Sequence, residues 1–264
     1  MRTALTIAGS DSIAGAGIQS DLKTFAALGV YGMSAVTAIT AQNTTGVTGV
    51  FALSGHIVRA QIEEITRDAA IAAVKTGMLA TAEIVEVVAD TVGQLRGPNL
   101  VVDPVMAASG TGIRTLLAPE AVSTLKTRVL PLASVVTPNV SEAAALCGIA
   151  VDSLDTAREA AKRICDFGPA AVVIKGGHWG DGQAIDVLFH AGAFTEFAAP
   201  RVKVDAVHGT GCTFASAIAG GLALGDDIPA AVQRAKRYVT GAIEHSFAIG
   251  RGARILNHFW ESPR

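Results

Sequence analysis

The sequence is poor in cysteine and aromatic residues and carries almost no net charge. Its three cysteines, Cys147, Cys165 and Cys212, are odd in number and show no C-x-x-C spacing. This number and spacing argue against a disulfide framework or a zinc site, and they favour a reducing cytoplasm. A net charge of −2 over 264 residues provides no basic surface for nucleic acid or an anionic membrane. We therefore expect a cytoplasmic protein with neither kind of partner.

Long hydrophobic runs are also missing. The opening stretch "MRTALTIAGS" has an apolar segment too short for a signal peptide and no basic leader. The most apolar segment, residues 211–224, is shorter than a bilayer span and rich in glycine and alanine, which predicts a helix buried in protein. No Pro/Ser-rich linker, charge run or fixed-period repeat divides the chain, so we expect a single domain over residues 1–264.

The residues that are present favour an α/β fold, since half of them are hydrophobic and 28 are glycine. Continuous apolar runs predict parallel strands buried on both faces, at 3–9, 33–40, 71–77, 100–105, 134–139 and 170–177. Periodic segments predict helices at 16–28, 54–68, 81–95 and 119–129, after Asn139 and Asp155, and from Gly211 and Asp227. Two segments near the C-terminus, "AIDVLFHAG" and "AFTEFAA", look antiparallel. This alternation predicts a doubly wound, mostly parallel sheet flanked by helices on both faces.

Polar residues recur at or just after the ends of the apolar runs. They are Ser10-Asp11, Gln42-Asn43, Lys75-Thr76-Gly77, Asp103-Pro104, Thr137-Pro138-Asn139 and Lys175-Gly176-Gly177. Ligands of open parallel sheets bind beyond the carboxyl ends of the strands. The pattern therefore predicts a polar cleft for a small molecule.

The stretch "HGTGC", residues 208–212, precedes a small-residue helix. Its glycines allow backbone N–H groups to turn inward, and a helix N-terminus attracts anions, so the turn could stabilise a transferring phosphoryl group. The alternative is a tight turn into a buried helix. Cys212 at this helix start is expected to have a pKa below about 8.5 and to accept a proton, or else to pack as a small apolar residue.

Other candidates each have a plain structural alternative. Asp103 and Glu142 could hold Mg²⁺, or Glu142 could simply complete the helix cap at Asn139. Lys175 could meet a phosphate, or remain solvated. The glycine-rich "DSIAGAGIQSD" lacks the full dinucleotide fingerprint, and no G-x-x-x-x-G-K-[ST] loop occurs. Asp21 and Gln42 could pair with a heterocycle, or be a helix-surface acid and a loop residue.

Several motifs together resemble one family in their order and spacing. They are "TIAGSDS…GAGIQSDLKTFAALGVYGMSAVTAITAQNTTGV", "VKTGML", "VVDPVM", "TPNVSEA", "VIKGGH", "HGTGCTFASAIA" and the late "NHFW". The chain is similar to the hydroxymethylpyrimidine/phosphomethylpyrimidine kinases of thiamine biosynthesis, in the ribokinase-like superfamily. The resemblance runs from residue 3 to nearly residue 260. It implies a ribokinase-like fold, a homodimer and a kinase that uses ATP and Mg²⁺ to phosphorylate a pyrimidine alcohol and then its monophosphate.

The resemblance also implies roles for individual residues. The catalytic group would be Cys212, with Gly209 and Gly211 as the anion hole and Lys175 beside the transferred phosphate. The pyrimidine would be bound by Gln42, Asp21, Met78, Val105 and Gly9. The ATP side would be formed by Lys175, Thr210, Lys236 and Asn139, and Mg²⁺ would be organised by Asp103 and Glu142.

Two features separate the chain from related kinases. Cys212 stands where most ribokinase-like enzymes have an aspartate, which would remove a negative charge near a phosphorylated second substrate. Ile13-Ala14 replace the small residues, mostly glycine, that the family usually has after "GSDS", so the substrate loop is expected to take a different path. Pyridoxal kinase is the nearest alternative, a sugar or nucleoside kinase is disfavoured by Cys212, and a non-catalytic pyrimidine or nucleotide sensor is the alternative from another class.

Overall fold

Strands of the predicted type form one large sheet in the computed structural model, which describes residues 1–95, 97–108, 111–112, 115–176 and 182–261. The strands are β1 (Thr3–Asp11), β2 (Tyr31–Asn43), β3 (Gly46–Ala52), β4 (Ala73–Thr76), β5 (Asn99–Val102), β6 (Thr111–Gly112), β7 (Val135–Val136), β8 (Ala171–Ile174), β9 (Gln183–His190) and β10 (Ala193–Pro200). Within the described ranges their order is β10-β9-β8-β7-β5-β4-β1-β2-β3-β6. A small separate pair joins β11 (Val207–His208) to β12 (Arg254–Ile255).

The centre of the sheet is parallel, from β8 through β7, β5, β4 and β1 to β2. Its carboxyl-end edge therefore collects the residues that follow these strands. The antiparallel β9–β10 hairpin extends one side, as the two segments near the C-terminus predict. On the other side β3 runs antiparallel to β2, a pairing that the sequence analysis did not anticipate.

Helices cover both faces of the sheet. They are α1 (Gly17–Ala27), α2 (Gly55–Asp68), α3 (Ala82–Gly93), α4 (Pro119–Thr124), α5 (Val140–Cys147), α6 (Leu154–Cys165), α7 (Thr210–Leu224) and α8 (Ile228–Glu244). One buried cluster packs α2 to α6 on one face, and a second packs α1, α7 and α8 on the other. The prediction of an α/β, doubly wound sheet with helices on both faces is confirmed.

Local capping explains where several helices begin. The side chain of Asn139 accepts from the backbone N–H of Glu142, and Glu142 accepts from that of Asn139, so the start of α5 is a capping box. The expected cap at Asp155 is wrong, because Ser153 accepts from the N–H of Thr156 and α6 begins at Leu154. The predicted helix at 119–129 is α-helical only as far as Thr124. The remaining residues, Leu125–Val129, form a π-helical segment.

The small-residue helix α7 lies in the protein interior, with residues 213–223 buried. Its glycines and alanines allow close packing, since a methyl group at Gly220 would already lie 2.8 Å from Leu28 Cδ1. No helix among the described residues is both long enough and apolar enough to cross a membrane.

Candidate active site

Two cavities adjoin each other over the carboxyl-end edge of the sheet. The first cavity has a volume of about 260 Å³ and is lined by Gly9, Gln42, Met78, Val105 and Cys212, among others. The second cavity, of about 630 Å³, includes Asp186, Phe214, Lys236 and Thr240 in its wall. Asn139, Lys175, Val207, Thr210 and Gly211 line both cavities. Two ligands could therefore meet at these shared residues.

The shared boundary is built on the turn at residues 209–212. Gly209 has φ +88°, and a Cβ there would lie 1.8 Å from the carbonyl oxygen of Gly15, so only glycine fits. Since α7 begins at Thr210, the first N–H groups of the helix have no acceptor within it and are available to an anion. The turn therefore offers backbone N–H donors at the position where the sequence predicts an anion hole.

Lys175 lies directly beside this turn. A Cβ at Gly211 would lie 3.1 Å from the Lys175 ammonium and 3.9 Å from Oδ2 of Asp103. The ammonium donates to Oδ1 of Asp103 at 2.7 Å and lies 4.0 Å from Oε2 of Glu142. Burial alone would lower the pKa of Lys175, but the two carboxylates raise it, so it remains a cation.

Glu142 is an unusual carboxyl group, because its pKa is raised to about 7. Burial is the main cause and the nearby charge of Asp103 adds to it, while Lys175 and backbone N–H groups act in the opposite direction. Asp103 is only 2% exposed. Two crowded carboxyl groups of this kind are hard oxygen ligands whose mutual repulsion a divalent cation would relieve.

The described residues contain no group of three or more His, Cys, Asp or Glu side chains that could hold a metal ion by themselves. Mg²⁺ is usually bound by one or two carboxylates together with waters and substrate phosphates. Asp103 and Glu142 fit that form of site, in which a nucleotide supplies the remaining ligands.

Cys212 lines the first cavity at the start of α7 as a free thiol. Its predicted low pKa is wrong: burial, reinforced by the carboxylates of Asp103 and Asp21, raises the pKa to about 12. The opposing effects of the Lys75 ammonium and the Gly17 N–H are smaller. The desolvation of the thiolate thus outweighs the helix N-terminus, and the thiol is protonated at neutral pH.

The assignment of Asp21 to ring binding is also corrected. Its carboxylate is fully buried and accepts hydrogen bonds from Lys75 at 2.9 Å, Thr6 at 2.6 Å and Ser216 at 2.6 Å. All its oxygens are therefore directed at core groups, and Asp21 is not among the residues that line the first cavity. Lys75, predicted only as part of a polar strand-end cluster, lines the cavity in its place.

The remaining predicted residues lie where a ligand could reach them. Gly9, Gln42, Met78 and Val105 line the first cavity, with a Cβ at Gly9 only 3.1 Å from the Met78 sulfur. Asn139 and Thr210 line both cavities. Gly177, the last residue of the predicted polar cluster at Lys175, lies outside the described residues.

Lys236 lies in the second cavity, where it donates to Oδ2 of Asp186 at 2.9 Å. Asp186 also accepts from the N–H of Gly176 at 2.9 Å, which ties the lysine to the end of β8. Apolar side chains of Phe214, Val239 and Ile243 complete this wall. A cationic group next to an apolar wall suits a ligand with a phosphate and a planar base.

Asp11 and His208 are functional candidates that the sequence analysis missed as a pair. His208 Nε2 lies 2.9 Å from Oδ2 of Asp11 and 2.9 Å from Nε2 of Gln42. Asp11 also accepts backbone N–H groups of Ile13, Gly15 and Ala16, which shapes the loop in which Ala14 adopts φ +59°. The loop thus closes with alanine, not Ile13, in the left-handed conformation.

Comparisons with known proteins support a specific interpretation. A family model described as phosphomethylpyrimidine kinase matches residues 11–257. The hydroxymethylpyrimidine/phosphomethylpyrimidine kinase of Streptomyces coelicolor is 48% identical over 97% of this chain and 94% of its own length. The Bacillus subtilis protein of the same name is 45% identical over 97% of this chain and 94% of its own length. The solved pyridoxal kinase of Staphylococcus aureus, in complex with AMP-PCP and pyridoxal, is 34% identical with a TM-score of 0.91, covering 99% of this chain and 95% of that one.

Proposed function

Because this chain belongs to the phosphomethylpyrimidine kinase family, we propose that it transfers the γ-phosphoryl group of ATP to 4-amino-5-hydroxymethyl-2-methylpyrimidine, and then phosphorylates the resulting monophosphate. The product is the pyrimidine diphosphate used in thiamine diphosphate biosynthesis. The observation that carries the proposal is the junction of the two cavities at Lys175 and residues 209–212. A nucleotide in the second cavity would direct its terminal phosphate at an alcohol in the first.

The protein groups at this junction act mainly by positioning and by electrostatic stabilisation. Phosphoryl transfer passes through a loose transition state with charge spread over the equatorial oxygens. The free N–H groups at the start of α7 and the Lys175 ammonium would stabilise that charge. Lys236, held by Asp186, would bind phosphates on the nucleotide side.

Mg²⁺ belongs to the same proposal. Asp103 and Glu142 would hold it, and the ion would neutralise charge on the nucleotide phosphates. Lys175 now donates to Asp103, so its ammonium would be shared between the carboxylate and the incoming phosphate.

Cys212 would contact the substrate alcohol as a neutral thiol. With a pKa of about 12 it holds no appreciable negative charge at neutral pH, so it is a poor base before bond formation begins. Its advantage lies in the second reaction, because an uncharged side chain does not repel a substrate that already carries a phosphate.

Pyridoxal is the second candidate substrate. The Staphylococcus aureus structure described as a pyridoxal kinase shares this fold at a TM-score of 0.91, and its ligand also carries a hydroxymethyl group on a six-membered heterocycle. The proposed preference for the pyrimidine rests on the higher identity to the hydroxymethylpyrimidine kinases.

A cytoplasmic homodimer completes the proposal. Ile39 of β2 and Phe51 of β3 are direct cross-strand partners, yet they are 51% and 68% exposed. An exposed apolar pair at this edge is suited to a second copy of the chain. Light scattering after size exclusion should give a dimer for the wild type and a monomer for Phe51→Glu.

The enzymatic proposal is tested by ADP release from purified protein with Mg-ATP. Hydroxymethylpyrimidine, its monophosphate, pyridoxal and ribose are supplied separately. We expect turnover of the first two. Turnover of only pyridoxal or ribose would reject the proposal, and binding of the pyrimidine without any ADP release would favour a sensor.

A further inference from the structure

We propose that Asp11 and His208 are positioning residues that set which way the Gln42 amide faces the first cavity, and thereby the direction in which the pyrimidine's amino group is bound. The inference rests on the proposed function and deepens it. It follows from a conflict around a single nitrogen atom. His208 Nε2 lies 2.9 Å from a carboxylate oxygen of Asp11 and 2.9 Å from the Gln42 amide nitrogen.

One ring nitrogen cannot satisfy both neighbours. If Nε2 carries a proton, it can donate to Asp11, but it then faces the N–H groups of Gln42. If Nε2 carries a lone pair, it can accept from Gln42, but it then faces an acceptor oxygen of Asp11. A carboxylate only accepts and an amide nitrogen only donates, so one of the two contacts must change.

The ionisation of Asp11 determines which of the two contacts changes. Asp11 accepts the N–H groups of Ile13 at 3.1 Å, Gly15 at 3.0 Å and Ala16 at 2.8 Å, and it is 3% exposed. Burial alone would raise the pKa of Asp11, but the hydrogen bonds from His208 and the backbone lower it. Asp11 is therefore ionised, and His208 must present an N–H at Nε2.

The amide of Gln42 must then turn its oxygen toward His208. The two ends of a glutamine amide are distinguished only by their hydrogen bonds, so the network determines the orientation. The other end of the amide faces Thr40, whose hydroxyl lies 3.1 Å from it and 3.0 Å from the carbonyl oxygen of Ser10. That hydroxyl can donate to Ser10 and accept from the Gln42 NH₂, while the single His208 N–H is shared between the Asp11 carboxylate and the Gln42 oxygen, so that no donor faces another donor.

The orientation of the Gln42 amide determines the direction in which the pyrimidine ring is bound. One lone pair and one N–H of Gln42 remain for the cavity, and this pair matches an amino group next to a ring nitrogen, as glutamine does when it binds adenine. With the oxygen on the His208 side, the amino group lies toward residues 208–212. The hydroxymethyl group is attached to the neighbouring ring carbon, so it is carried toward Cys212. The opposite amide orientation would carry it away.

A merely structural role for His208 must be separated from this one. The ring packs on the substrate loop, since a Cβ at Gly15 would lie 2.4 Å from His208 Cδ2. His208→Leu removes the donor, whereas His208→Gln places an amide donor where Nε2 lies and restores it. Asp11→Asn leaves the ring in place but frees His208 to present a lone pair.

The experiment compares kcat/KM for the 4-amino substrate with that for its 4-oxo analogue, in which donor and acceptor are exchanged. We expect His208→Leu to reduce the wild-type ratio at least about tenfold, mainly through KM of the amino compound, and His208→Gln to stay within about threefold. Asp11→Asn should reduce the ratio as His208→Leu does, and it carries the test if His208→Leu does not fold in a thermal melt.

Two results would overturn the inference. One is a ratio that does not change in His208→Leu and Asp11→Asn, and the other is an equal fall in His208→Gln. If the wild type turns over the amino compound and either result is found, only this inference fails. If the wild type phosphorylates neither compound, the proposed function fails and the inference with it.

Discussion

The ammonium nitrogen of Lys175 lies 2.7 Å from Oδ1 of Asp103, at the boundary between the two cavities. This contact holds the cation beside Gly211, where the transferring phosphate is proposed to pass. The carboxylates of Asp103 and Glu142 explain why this lysine, with only 14% of its side chain exposed, remains charged.

Removing this cation should disable transfer more than binding. We expect Lys175→Met to lower kcat at least about hundredfold in steady-state ADP release, with a smaller change in KM for the pyrimidine. Lys162→Met, at an exposed position on α6, is the matched control and should retain activity. A kcat for Lys175→Met within about threefold of wild type would contradict the assignment.

A methyl group at Gly211 tests the space beside Lys175. Its carbon would lie 3.1 Å from the ammonium, in the path of the phosphate, although this glycine needs no positive φ. We expect Gly211→Ala to fold normally, as judged by its thermal midpoint, and to lose about tenfold or more in kcat. Gly93→Ala is the control, since its new carbon would meet only Leu132 at 3.5 Å. Equal activity of the two variants would show that Gly211 does not face the reacting group.

The charge at position 212 should separate the two phosphorylations. A carboxylate there would repel a phosphorylated substrate by about 4 kcal/mol, for two unit charges roughly 4 Å apart at an effective dielectric constant near 20. We expect Cys212→Asp to reduce kcat/KM for the monophosphate at least about tenfold more than that for the alcohol. The neutral variant Cys212→Ser should affect both steps similarly. Equal losses in Cys212→Asp would count against the electrostatic explanation.

The raised pKa of Glu142 predicts a pH-dependent cost to folding. Its pKa of about 7 lies above the ordinary 4.5, so the stability that the protonated form gives is lost as pH rises through 7. Glu142→Gln keeps a capping residue at this helix position but cannot ionise. We expect it to be more stable than wild type by about 3 kcal/mol near pH 8 in urea unfolding, and equal near pH 4.

The same variant should need more Mg²⁺, about tenfold or more, for half-maximal activity, if Glu142 is a ligand. A stabilised variant with unchanged Mg²⁺ dependence would retain the burial argument and remove Glu142 from the metal site.

His258 predicts the opposite pH dependence. Its Nε2 lies 3.0 Å from Ser20 Oγ and 3.1 Å from Thr213 Oγ1 in the core, and burial lowers its pKa to about 4. The neutral ring stabilises the fold above its unfolded pKa of 6.5, and this stability is lost as pH falls toward 4. We expect His258→Gln, compared with wild type at each pH, to lose less stability over this range in urea unfolding. An equal loss of unfolding free energy in His258→Gln and in wild type would contradict this prediction.

The fold and the identity of most site residues could be predicted because they depend on local patterns. Buried parallel strands are continuous apolar runs, and Asn139 with Glu142 forms a recognisable cap. By contrast, β3 follows β2 after a short turn that the sequence analysis interpreted as a polar strand end. The cap of α6 is Ser153 and not the predicted Asp155. Both residue types are good caps, and only the backbone conformation distinguishes the two positions.

The errors in the site arise from burial and from long-range pairing. Asp21 resembles a surface acid at the start of α1, and only the fold places Lys75, 54 positions away, against its carboxylate. Cys212 has the helix start that lowers a thiol pKa, but desolvation reverses the shift. Asp11 and His208 are 197 positions apart, so no local motif reports their contact.

The most direct test follows the products of one reaction by ³¹P NMR, starting from hydroxymethylpyrimidine, Mg-ATP and the purified chain. We predict a monophosphate resonance that appears first and then gives way to a diphosphate, with both steps lost in Lys175→Met. Accumulation of the monophosphate without any diphosphate, or no pyrimidine phosphate at all, would contradict a single site that serves both acceptors.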